Sequence, residues 1–378
     1  MNLRKGAIMF TILLSMHELS MAQKNDPALQ VSASYTGDLV GNFKGGIKSG
    51  VTYLGLADLF LNLATEKAGW WSGGEFLIHG SNTHGGEPTA NLVGDFQGVS
   101  NIEAGNHTFL YELWYKQTLS NLSITIGLQD LNTEFAATEN ATAFINSSFG
   151  IHSVIADNIP APIFPLTSPG ITLCWHTSEK TCLKTAVYKG CPVDFDANSN
   201  NLKWNLNYME GFLWVSEFQY NTTSERGDNN QLKAGGFYHS HCPDQMIGSD
   251  NLQFDYGFYL IGDHQFRAHS TSDRGPSLFY QLGVSPRNTN YGYLGVGSIY
   301  KGLIRERMND EAGIALAYGA LDNQKTGGDE AVLEFLYKIQ ISDHIFVQPD
   351  LQYVIHPGGT GIPLENAVYG TMRLGIDL

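Results

Sequence analysis

Past its N-terminal segment the chain has no uninterrupted apolar run near the roughly 18 residues that a membrane-spanning helix requires. Charge is also scarce: only 16% of residues are Asp, Glu, Lys or Arg, with 22 basic against 37 acidic side chains and a formal charge of -15. So few cations exclude a nucleic-acid-binding surface, which needs clustered Lys and Arg against phosphate. Neither a G-x-S-x-G elbow nor an H-E-x-x-H pair occurs, so no motif announces a hydrolase or a zinc protease. No cofactor signature is present either. What the chain does have is 42 Gly, 18 Tyr and 20 Phe, a composition that favours extended structure over helical bundles.

The N-terminus reads as an export signal. Arg4 and Lys5 precede a short apolar run from Gly6 to Met16, and Ser20-Met21-Ala22 supplies small residues for cleavage before Gln23. Residues 1–22 are therefore expected to be a signal peptide, and residues 23–378 a single exported domain.

The dominant pattern in that domain is period two. In "EFLYKIQISDHIFVQPDLQYVIHPGG" (334–359), Phe335, Tyr337, Ile339, Ile345, Val347, Leu351 and Tyr353 fall on one stroke. Glu334, Lys338, Gln348, Asp350 and Gln352 fall on the other, with Ser342-Asp343-His344 as the turn. The same alternation recurs from Leu29 to the C-terminus and predicts sixteen strands, or roughly 22 residues per strand and loop, ample for membrane strands of about 9–11 residues. Connections alternate between short turns and longer loops, the longest expected at 131–169. The fold class is thus all-β: a sixteen-stranded antiparallel transmembrane barrel of the outer membrane. A closed barrel of that size encloses more space than side chains fill, so the polar stroke lines a wet lumen and the apolar stroke meets lipid.

Lumen candidates follow from the polar strokes. Glu112, Trp114 and Lys116, set against Phe109, Tyr111, Leu113 and Tyr115, combine charged hydrogen-bonding groups with a flat apolar ring on one stroke. Asp58, Gln129, Lys184, Glu334, Lys338, Gln348 and Gln352 join them by alternation. Loop 131–169 carries Glu134, Phe135, Phe144, Asn146 and Phe149, then four prolines that stiffen its return. It either folds inward as a constriction or caps the mouth from outside. The acidic excess either lies in the pore, where it disfavours anions, or on external loops, where it meets divalent cations and lipopolysaccharide.

Cys174 and Cys182 are equidistant from Ser178 in a hairpin and are expected to face each other, while Cys191 and Cys242 fall in external loops; both pairs are disulfide candidates in an oxidising compartment. His239 and His241 of "HSHC" lack a fourth ligand and zinc-like spacing, so no metal is expected there. Trp70 and Trp71 suit an interfacial aromatic belt.

Several longer stretches carry a resemblance: "SYTGDLVGN", "GDFQGVSNIEA", "LYELWYKQ", "FINSSFG", "YKGLIRERMNDEAGIALAYG" and "QPDLQYVIHPGG". In this order, over nearly the whole exported domain, they resemble the carbohydrate-selective porins of the OprB family. His356 stands where that family's last motif has Asn, and the chain ends in Leu378 rather than an aromatic residue. The resemblance implies a sixteen-stranded porin passing sugars, glucose-type monosaccharides above all, by passive diffusion. Its partners would be small saccharides and outer-membrane lipid. Alternation alone supports only a porin, so a general or amino-acid channel is the alternative reading.

Overall fold

A computed structural model describes residues 27–204, 211–224, 228–240, 254–266, 274–322 and 328–378. The signal-peptide segment, His241 and Cys242 lie outside these residues. The first four strands are β1 (Leu29–Lys44), β2 (Gly50–Ala64), β3 (Gly74–Gly85) and β4 (His107–Leu119). Next come β5 (Leu122–Gln129), β6 (Ser168–His176), β7 (Thr181–Lys189) and β8 (Phe212–Thr223). They are followed by β9 (Asn229–Ser240), β10 (Phe254–Gln265), β11 (Gly275–Val284) and β12 (Asn290–Lys301). The last four are β13 (Glu311–Leu321), β14 (Glu330–Ser342), β15 (Ile345–Ile355) and β16 (Ala367–Asp377). Each pairs antiparallel with the next, and β1 pairs with β16, so the sheet closes and leaves no edge with unpaired backbone groups.

The direction of the side chains settles which stroke faces inward. On β15, Gln348 and Gln352 are buried while Leu351 is 47% and Tyr353 37% exposed. Leu39, Val51, Ile126, Ile171, Phe258 and Phe335 are likewise exposed, and Asp38, Glu217, Gln281 and Glu334 are fully buried. A soluble protein shows the opposite arrangement. An apolar outer band against hydrocarbon and a polar interior is what a membrane barrel requires. Trp70 and Trp71, stacked with ring centroids 5.8 Å apart, stand exposed in the turn between β2 and β3.

Strand β4 departs from simple alternation near the site. In β4 the register against β3 shifts between Glu112, opposite His79, and Leu110, opposite Gly80. The extra residue, Tyr111, forms a β-bulge, and a bulge re-phases every side chain beyond it. Phe109 and Tyr111, expected on the lipid stroke, are therefore buried inside the barrel, whereas Glu112, Trp114 and Lys116 keep the inward phase.

Two connections fill much of the lumen: residues 86–106 between β3 and β4, and residues 130–167 between β5 and β6. Their apolar residues build cores that no sheet alone supplies. Phe144, Phe149 and Val154 pack with Leu92, Val93 and Val99 of the shorter loop and with Phe279, Tyr293, Val332 and Tyr369 of the wall. Leu131, Phe135, Ile151 and Ile155 pack on Tyr188, Leu213, Phe237 and Tyr259.

Candidate pore constriction

An irregular segment lodged inside a barrel must find partners for its backbone N–H and C=O groups. Here the wall supplies them, largely through carboxylates. Glu334 accepts from the backbone N–H of Ile145 (2.5 Å) and Asn146 (3.0 Å). Glu217 accepts from Ala136 N (2.9 Å), and Asp263 from Asn140 N (3.0 Å). Loop carbonyls are met by wall donors: Lys233 to Ala137 O (2.6 Å), Gln348 to Ala143 O (2.9 Å), Tyr293 to Ser148 O (2.8 Å) and Gln281 to Phe149 O (3.0 Å).

The shorter loop is fixed the same way. Glu330 accepts from Phe96 N (2.7 Å) and Gln97 N (2.9 Å). Arg373, opposite Asp38 in the β1–β16 register, grips its carboxylate through two bonds of 2.7 and 2.8 Å. The same pair holds the loop: Ser100 donates to Asp38 (2.7 Å) and Arg373 donates to Asn101 (2.7 Å). Much of the acidic excess in the lumen is therefore occupied in holding loops.

The two loops touch at Gly98 and Ser147, where Ser147 N donates to Gly98 O (3.1 Å). Gly98 has φ +82°, and a Cβ there would meet Ser147 Oγ at 2.8 Å, so glycine is required for this approach. Between the loops lies a cavity of about 420 Å³. Gln97, Asn101, Asn132 and Ser148 line it with amide and hydroxyl groups, Phe96 and Phe164 with aromatic surface, and Glu103 and Asp157 with carboxylates. No Lys or Arg is among its described lining residues. Burial pushes the Glu103 carboxyl up to about 7, against the opposing hydrogen bonds from the Thr89 hydroxyl (2.7 Å) and N–H. Behind it, burial first and then the charges of Glu330 and Glu103 hold the Asp95 carboxyl well above its usual range.

The residues singled out in the sequence fall into three groups. Glu134 and Lys184 form an ion pair (2.5 Å), and Lys184 also donates to Glu134 O (3.2 Å), tying loop to wall. Trp114 and Lys116 are half-buried, with the indole donating to Glu112 (3.3 Å). Asp58 accepts from Ser81 (2.6 Å) beside His79, and Lys338 lies 4.4 Å from the Phe346 ring centre. Glu334 and Gln348 are loop anchors, as above. Gln129 bonds Gly170 O (2.8 Å), and Gln352 donates to Asp350 (3.0 Å).

Phe135, Phe144, Phe149 and Asn146 require correction. All four are fully buried, the rings within the loop cores and the Asn146 side chain accepting from Ser148 N (3.2 Å) to cap a short helical turn. They pack the loops internally and present no accessible surface to a solute. The cysteines also need one. Cys174 registers with Lys184 and Cys182 with His176, so the two thiols, both free, are diagonal neighbours. Cys191 is disulfide-bonded.

Sequence reasoning missed Asp38, Arg373, Glu217, Glu330, Gln97, Asn101 and Glu103. Asp38 stood on the polar stroke of "SYTGDLVGN", and the three loop residues stood inside "GDFQGVSNIEA", but nothing local linked Asp38, Gln97 and Asn101 to partners more than 200 residues away.

Porin B of Pseudomonas aeruginosa is 22% identical, over 90% of this chain and 85% of its own length. The high-pH structure of Pseudomonas putida OprB superposes with a TM-score of 0.81 at 18% identity, covering 93% of this chain and 94% of that one. The low-pH structure of the same protein gives 0.62 at 17% identity, covering 93% of each. At these identities the structures speak to the fold alone. The family model described as the carbohydrate-selective porin, OprB family, matches residues 48–378, so the chain belongs to that family, as a saccharide-selective diffusion channel of the bacterial outer membrane.

Proposed function

We propose that the chain passes small neutral sugars of the glucose type passively through the cavity between its two inward loops, and catalyses no reaction. The observation that carries this is the lining: amides, hydroxyls, two carboxylates and two aromatic surfaces around about 420 Å³, with no Lys or Arg among its described residues to hold an anionic solute. Amides and hydroxyls replace part of a sugar's hydration shell, and rings offer flat apolar contact. Neutral donors bind weakly enough to release it, as conduction requires. Trp114, below the bulge, offers a further flat surface along the wall. The exposed aliphatic and aromatic band supports outer-membrane lipid as the surrounding partner, and residues 1–22 as the export signal.

Liposome swelling with the purified mature protein tests the reading, using glucose, maltose, a size-matched amino acid and gluconate. Faster entry of glucose than of the other size-matched solutes is expected, with Asn101→Ala and Gln97→Ala narrowing the difference. Equal rates for size-matched solutes would reduce the chain to a general porin.

A further inference from the structure

The β6–β7 hairpin ends in a group of soft donors that sugar transport does not use. Cys174 and His176 are two residues apart on β6, and Cys182 stands opposite His176 on β7. Period-two geometry therefore places all three on one face. That face is the lumen, because the intervening Leu173, Trp175 and Leu183 are exposed on the lipid side while Thr172 is buried inside. The thiol sulfurs lie 3.0 Å apart, Cys174 Sγ is 3.7 Å from His176 Nε2, and the three donor atoms all fall within 4.8 Å of one another.

A disulfide is the obvious alternative, but the register opposes it. Diagonal positions on an antiparallel pair are about 7–8 Å apart at Cα, beyond the roughly 4.4–6.8 Å that a disulfide spans without backbone movement. Metal ligation makes the opposite demand. With Zn–S bonds of about 2.3 Å at a tetrahedral centre, two sulfurs stand roughly 3.8 Å apart. The thiols need only separate slightly by side-chain rotation. His176, exposed at the strand end, is free to swing its imidazole into place. Two thiolates and one imidazole are the donor set of a soft ion with one coordination position left open. Lys184, the nearest cation on that face, is already neutralised by Glu134.

We propose that Cys174, His176 and Cys182 bind one soft metal ion, Zn²⁺ or Cu⁺, at the end of the barrel where the turns are short. On binding, both thiols release their protons, so the ion staples the hairpin as a centre that is neutral with Zn²⁺ and singly negative with Cu⁺.

The test uses the full mature barrel, reduced and then freed of reductant without air. It is titrated with Cd²⁺ while the thiolate-to-metal absorption is followed, then with Zn²⁺ and Cu⁺ against chromophoric chelators. One ion per chain is expected. Cys174→Ser or Cys182→Ser should abolish the absorption band, and His176→Ala should weaken binding at least tenfold. The Cys191→Ser/Cys242→Ser double variant should bind as the parent does. Heat-modifiable mobility confirms that each variant is folded. Binding that survives loss of both hairpin cysteines would overturn the proposal. So would absence of a thiolate band in protein with both thiols titratable, or an intact mass showing Cys174 and Cys182 already joined.

Discussion

Glu334→Ala removes a fully buried carboxylate that holds two consecutive backbone amides of the long loop. A buried N–H left without its acceptor costs about 1–3 kcal/mol, so losing both bonds costs about 2–6 kcal/mol of loop attachment. The remaining hold is substantial. Burial of Phe144 and Phe149 contributes about 1.5–3 kcal/mol each, and the Gln348 and Gln281 bonds to neighbouring carbonyls persist. The loop should thus stay docked on average, while its undocked population rises more than tenfold, at about 1.4 kcal/mol per factor of ten. Single-channel recording in planar bilayers should show greater open-channel noise with transient steps to higher conductance. Liposome swelling should admit larger oligosaccharides. The strand ladders do not involve this side chain, so heat-modifiable mobility should be unchanged. Glu334→Gln, which keeps one acceptor, should fall in between. Wild-type noise and size cut-off in a folded Glu334→Ala barrel would refute the idea that the wall carboxylates hold the constriction.

Three further outcomes follow from the same geometry. Because the Glu103 carboxyl is raised to about 7, it is neutral below that pH and ionised above it, so preference for cations over anions should rise as pH passes upward through about 7. Reversal potentials across a salt gradient should show this step in the parent, whereas Glu103→Gln should lose the component near 7 and keep only the later one from Asp157, which burial raises to about 8. Arg373→Ala leaves Asp38 buried without its cation at the β1–β16 seam, a loss of about 3–5 kcal/mol that should lower the temperature at which the barrel unfolds in detergent. Phe144→Ala should cost about 3–5 kcal/mol of loop packing and loosen the size cut-off. A change in sugar affinity with the cut-off intact would instead restore the ring to the channel surface.

The residues most legible in the sequence are those whose role depends on their strand neighbours. Gln348, Asp350 and Gln352 announce an inward face because alternation is a local property of extended backbone. Tyr111 shows the limit: its own stroke said lipid, and only the pairing of β4 against β3 reveals the bulge that turns it inward. Phe144 and Phe149 mark a second limit. Aromatic rings in a polar loop suit sugar stacking and core packing equally well, and the choice between them rests on whether Val332 and Tyr369 stand behind them.

Glu330 and Glu334 show the same division on one strand. Their inward direction follows from period two. Their partners, Phe96, Gln97, Ile145 and Asn146, lie about 190 residues or more away in the chain. The barrel, its strand count and the stroke that meets lipid were legible along the chain, because these arise from short-range periodicity and from the solvent on either side of the sheet. Where the two inward loops meet, and which acids hold them, emerged only once the wall had closed around them. Those properties depend on two loops meeting inside a closed wall, and no local pattern encodes that meeting.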